Sequence, residues 1–131
     1  LIGLDTNILL RIIVEDDPEQ TARVRRLTDE AIETGELLFI TDVVLSETVW
    51  TLRTGYRRNR REILTTLKSI EQTINFKFES PATIRKAIAD FEHNRGDFPD
   101  YLIKERCNSA GCRTVATFDK VLLSEPGFIE P

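Results

Sequence analysis

The chain has 131 residues, 40% apolar and 31% charged, with a net charge of −4 and two cysteines. That length suits a single domain, residues 1–131, whose core can stand without disulfides or a structural metal, and the composition is that of a globular rather than a disordered chain. No run approaches the ~20 apolar residues that span a bilayer. The apolar start breaks off at Asp5, too soon for a signal peptide, so the default expectation is a cytoplasmic protein with no membrane partner. The acidic balance argues against a generally basic nucleic-acid surface but leaves room for a local one.

Leu1 to Leu4 is an apolar run ending at Asp5, and Ile8-Leu9-Leu10 with Ile12, Ile13 and Val14 follows Thr6-Asn7. This pattern reads as a buried strand turning into a short helix, although an apolar run alone does not separate strand from helix. Pro18 opens the next helix, Val24, Leu27, Ala31 and Ile32 supply its apolar stripe, and Gly35 ends it. Leu37 to Ile40 is a second strand, and Thr41 and Asp42 are N-cap candidates for a helix carrying Val44, Leu45, Val49 and Leu52, interrupted at Gly55.

A further helix is expected from Arg60 to Gln72, then a third strand from Asn75 to Glu79 with Phe76 and Phe78 on one face. Ser80-Pro81 starts another helix, broken at Gly96, and Pro99 starts one more that ends near Gly111. Arg113 to Phe118 reads as a fourth strand and Phe128-Ile129 as a short fifth. Strands alternating with helices imply an α/β fold, with a mostly parallel central sheet of four or five strands in a three-layer arrangement flanked by helices. In such sheets ligands lie beyond the carboxyl ends of the strands.

Asp5 follows the first strand and Asp119 follows the fourth. Glu47 lies one or two turns into a helix that begins at the same sheet edge, and Asp100 lies in the first turn of the helix feeding the fourth strand. Each of these acids alone reads more readily as a helix cap or turn residue. Their conjunction points further, because like carboxylates held close together need a compensating charge. Glu47 also falls in an apolar stretch, where an unpaired acid is costly. Lys104, Arg113 and Lys120 are candidate partners, but no single base answers all four acids. Mg²⁺ or Mn²⁺ would use several carboxylates at once, activating a water and neutralising charge on a phosphate.

The segments Leu4-Asp5-Thr6-Asn7, Leu45-Ser46-Glu47, Asp97 to Ile103 and Thr117-Phe118-Asp119 resemble the acidic motifs of PIN domains. In order, spacing and length the whole chain most resembles the VapC-like toxins of toxin–antitoxin pairs. The resemblance implies a PIN-like fold, with Asp5, Glu47, Asp100 and Asp119 as catalytic metal ligands. It further implies an RNA substrate, a homodimer and inhibition by a cognate antitoxin, for which the early helices around Ile12, Ile13 and Val24 are candidate contacts or simply core. Asp97 is either a further ligand or the cap of the helix opened by Pro99. Asn7 and Thr117 either orient a water or carboxylate, or serve turn and cap chemistry. Pro99 stands where a small residue is commoner in relatives, which a first helical turn tolerates.

Arg53, Arg57, Arg58, Arg60 and Arg61, with Tyr56 among them, form the densest positive charge. They read either as an exposed helix connection or as an RNA backbone clamp in which Tyr56 stacks on a base. Cys107 and Cys112 match no zinc spacing, and two reduced, packed thiols are expected over a redox pair. The competing functional reading is a catalytically inactive PIN-like module that binds nucleic acid or protein. A haloacid-dehalogenase-like phosphatase would want a second acid two residues after Asp5, where Asn7 stands.

Overall fold

The computed structural model describes all residues, 1–131, which fall into two compact units, Leu1–Glu79 and Ser80–Pro131. The first unit runs β1 (Ile2–Gly3), α1 (Thr6–Ile13), α2 (Pro18–Thr34), β2 (Leu38–Ile40), α3 (Asp42–Thr54), α4 (Arg60–Glu71) and β3 (Phe76–Phe78). Its three strands pair in the order β1-β2-β3, all parallel, with Gly3 opposite Phe39 and Ile40 opposite Phe78. Parallel neighbours require crossover connections, and the helix pairs α1–α2 and α3–α4 supply them. Central β2 buries Leu38 and Ile40 completely.

Local chemistry sets the helix boundaries. Asp17 caps α2 through Gln20 N–H, Pro18 occupies its first turn, and Gly35 closes it in the left-handed conformation. Thr41 caps α3 through Val44 N–H. Asn59 and Glu62 form a reciprocal capping box at the start of α4. The apolar stripes then decide the packing: α1 lies against α2 and α3, and α3 against α4. Phe76 and Phe78 do share a face, their rings meeting edge-on at 6.5 Å.

The second unit runs α5 (Pro81–His93), α6 (Phe98–Ser109), β4 (Val115–Ala116), α7 (Lys120–Leu123) and β5 (Phe128–Ile129). Helices α5 and α6 pack together, with Phe91 and Phe98 edge-on at 6.4 Å. Strands β4 and β5 are parallel, Val115 opposite Phe128. The α/β class and the parallel pairing are as the sequence expects. The five strands hydrogen-bond as three plus two rather than as one ladder of four or five. The fourth strand is also shorter than Arg113–Phe118, because Thr117 and Asp119 turn the chain into α7, a four-residue helix too short to show a periodicity.

Candidate functional site

In the first unit, Asp5 leaves the carboxyl end of β1 and is the N-cap of α1, one carboxylate oxygen accepting from Ile8 N–H at 3.1 Å. The capping explanation for this acid is therefore realised. It is also compatible with a second role, because a cap uses one oxygen and leaves the other, exposed here, for another partner. Strand β2 ends beside β1 in register and leads into α3, so Asp5 and the start of α3 share one edge of the sheet. Asn7 is exposed on the first turn of α1.

Glu47 stands about a turn and a half into α3 and is exposed, which corrects the expectation of a costly acid in apolar surroundings. The apolar neighbours in sequence lie on different faces. Val44, Leu45, Val49 and Leu52 are buried, whereas Val43 and Trp50, on the face of Glu47, are 65% and 59% exposed. The Glu47 carboxylate has neither a hydrogen-bond nor an ion-pair partner.

In the second unit, Asp119 follows β4 and caps α7, accepting from Val121 N–H at 2.8 Å and Leu122 N–H at 3.4 Å. Thr117 Oγ1 accepts from Asp119 N–H at 3.0 Å, so Thr117 shapes the turn that aims this acid. Asp100 is half-buried in the first turn of α6 and lines, with Thr117, Val115, Leu122 and Phe128, a cavity of about 130 Å³. Asp97 occupies the N-cap position of α6, but its side chain makes no cap bond. Its backbone carbonyl accepts from Asp100 N–H at 3.1 Å. The second unit thus brings Asp100 and Thr117 to one cavity and Asp97 to the helix start beside it.

Two groups that sequence reading missed hold this corner. Tyr101 is fully buried, and its hydroxyl accepts from Gly96 N–H at 2.6 Å and donates to Glu125, whose two oxygens each lie at 2.9 Å. Gly96 is required there: a Cβ would stand 2.5 Å from Leu122 and 2.7 Å from the Tyr101 hydroxyl. The one available signal was Tyr101 itself, a polar-tipped aromatic in a core position that needs a partner for its O–H.

Lys104 is not a partner for the strand-end acids. Its ammonium lies 3.4 Å from Asp90 and 3.6 Å from Glu105, which joins α5 to α6. Burial, reinforced by a hydrogen bond to Glu105, pushes the Asp90 carboxyl up to about 6, while bonds from Asp90 and Asn108 hold Glu105 below its usual range against its own burial. Asp90 thus carries the shared proton. A carboxyl raised on folding contributes stability that is complete below its unfolded value, near 3.8, and is lost as pH rises through about 6. Asp90→Asn, which keeps a donor toward Glu105, should therefore gain on the wild type as pH rises from about 4 to 7. The expected gain is on the order of 1 kcal/mol, reduced by the opposite shift of Glu105. Urea unfolding across that window measures it.

The basic segment forms the end of α3, the connection to α4 and the first turn of α4, with Arg57 in the left-handed region at φ 53. Tyr56 is half-buried, its hydroxyl accepting from Arg11 at 2.8 Å and donating to Asp16 at 2.9 Å. This bond braces the connection and commits the end of the ring. Arg58 reaches Glu62 at 4.0 Å, while Arg57 and Arg61 are exposed without an ion-pair partner.

Asp5, Glu47 and Asp119 have no cationic neighbour, and all are oxygen donors of the kind hard divalent ions prefer. Taken singly, each carboxylate has the chemistry such an ion binds. No three acidic, His or Cys side chains are gathered closely enough to hold one. No helix is long and apolar enough to cross a membrane.

Comparison with known proteins adds to this geometry. A family model described as PIN domain matches residues 2–127, spanning both units. A VapC ribonuclease of Aquifex aeolicus (strain VF5) is 28% identical over 117 residues, covering 89% of this chain and 86% of that protein.

Proposed function

Because the chain belongs to the PIN domain family, we propose that it is a metal-dependent endoribonuclease, the toxin of a type II toxin–antitoxin pair. The observation that carries this reading is a set of strand-end and helix-start carboxylates, Asp5, Glu47 and Asp119, left without any cation partner. Similarity to a VapC ribonuclease supports RNA as substrate.

In this reading the whole chain acts as one domain, and Asp5, Glu47, Asp100 and Asp119 hold Mg²⁺ or Mn²⁺, with Asp97 contributing. When bound, the ion neutralises charge on the scissile phosphate and makes water a competent nucleophile. The chain's own residues do the positioning. Ile8 N–H fixes the Asp5 carboxylate, the amides of Val121 and Leu122 fix Asp119, and Thr117 sets the turn between β4 and Asp119. Asn7 stands beside Asp5 for a water or phosphate oxygen. Arg53, Arg57, Arg58, Arg60 and Arg61 offer charge to the RNA backbone, and Tyr56 holds their segment in place. Partners are the RNA, a cognate antitoxin and a second copy of the chain, in the cytoplasm.

The test is incubation of the full chain with single-stranded RNA, first with a chelator and then with Mg²⁺ or Mn²⁺ restored. Internal cleavage that stops on chelation and returns with either ion is the expected result. RNA binding without cleavage under all these conditions would identify an inactive binding module instead.

A further inference from the structure

Helix α6 ends in a cap whose hydrogen bonds decide which side chains meet. Gly111 adopts φ 93, its N–H donates to Asn108 C=O at 3.0 Å, and Cys112 N–H donates to Cys107 C=O at 2.9 Å. This pair of bonds is a Schellman motif, in which the third residue from the helix end and the second beyond its cap bring their side chains into contact. Both positions are cysteines here. The two line one groove at the end of α6 with Arg106, Ser109 and Ala110, Cys107 half-buried and Cys112 exposed.

The ordinary reading is that the contact is the apolar staple of the cap, with two packed thiols. Cys112 is not packed, however, and an exposed sulfur buries little apolar surface. Cys107 is also held above the usual thiol value by burial and by the neighbouring Cys112. The backbone bond between residues 107 and 112 imposes the short approach a disulfide spans, ~4.4–6.8 Å between Cα atoms. We propose that Cys107 and Cys112 are an oxidisable dithiol that a small-molecule disulfide such as glutathione disulfide closes to an intrachain disulfide across the end of α6.

The order of events follows from exposure. The Cys112 thiolate attacks one sulfur of glutathione disulfide and releases one glutathione. Cys107 then loses its proton, and its sulfur displaces the second glutathione from Cys112. Two protein thiols are oxidised by two electrons, one glutathione disulfide is reduced to two thiols, and the two thiol protons end on them. The product pins the turn that joins α6, which carries Asp100, to β4, which leads to Asp119.

The experiment treats the native full chain with glutathione disulfide and reads intact mass and free thiols without reductant. The expected product is a monomer lighter by two hydrogens, with no free thiol and no retained glutathione, formed at least ~10-fold faster than from the chain unfolded in guanidinium. Cys107→Ser should instead keep one glutathione on Cys112. A wild-type chain that accumulates a stable glutathione adduct, cross-links to a second copy, or closes no faster folded than unfolded would overturn the proposal. The wild-type measurement decides this even if a variant folds poorly.

Discussion

Glu47→Gln and Asp5→Asn are each expected to abolish cation-dependent RNA cleavage while leaving the chain as stable as the wild type. The loss should exceed the ~10–100-fold that residues outside the ligand set cost, because each change removes a negative donor oxygen from the proposed centre. The stability forecast rests on the contacts. Glu47 is exposed and its carboxylate touches nothing, so Gln there should stay within ~0.5 kcal/mol. Asp5 caps α1, and Asn caps as well as Asp does, so the helix start is kept. Asp5→Ala would be a poorer test, since losing the cap costs about 1 kcal/mol by itself. Cleavage rates with saturating Mg²⁺ or Mn²⁺, beside urea unfolding, measure both quantities. Wild-type turnover by Glu47→Gln would remove that residue from the centre.

Tyr101→Phe should destabilise the chain by about 1–3 kcal/mol, because it removes a buried hydroxyl that both accepts from Gly96 N–H and donates to the Glu125 carboxylate. The hydroxyl stands between Gly96 N–H and the Glu125 carboxylate, and Gly96 is buried so closely that a Cβ would strike Leu122. The loosened strap is also the one that delivers Asp97 and the first turn of α6, so cleavage should fall along with stability. Tyr101 is a positioning residue in this account. Recovery of the wild-type rate at low temperature, where the variant is fully folded, would show that Asp97 and Asp100 do not depend on it.

Helix starts were the most legible feature of the sequence, because capping and proline chemistry act over three or four residues. Pro18 and Ser80-Pro81 mark the starts of their helices, and Thr41, one of two adjacent cap candidates, caps α3. Strand ends were less legible: β4 stops where Thr117 bonds back to the Asp119 amide, a choice of turn that the apolar run conceals. The position of Glu47 was right and its environment wrong, because composition along the chain does not say which face of a helix is covered. Lys104 looked available to the strand-end acids, yet Asp90, fourteen positions earlier on α5, claims it. The Tyr101 strap was invisible for the same reason, its partners being joined only by the fold. The places of Asp5 and Asp119 after strands were readable from the strand–helix alternation, whereas the division of those strands between two sheets was not.

The exposed face of α3 gives this molecule an optical handle. Trp50 is the single tryptophan of the chain, and it lies one helical turn beyond Glu47 with more than half its surface in water. Its fluorescence therefore originates beside one proposed ligand and almost nowhere else. A paramagnetic ion such as Mn²⁺ settling at Glu47 would quench that emission, and a nucleobase lying along the helix would shift it. The wild-type protein can thus be titrated with cation or RNA unlabelled, with occupancy read from its own light and separated from turnover.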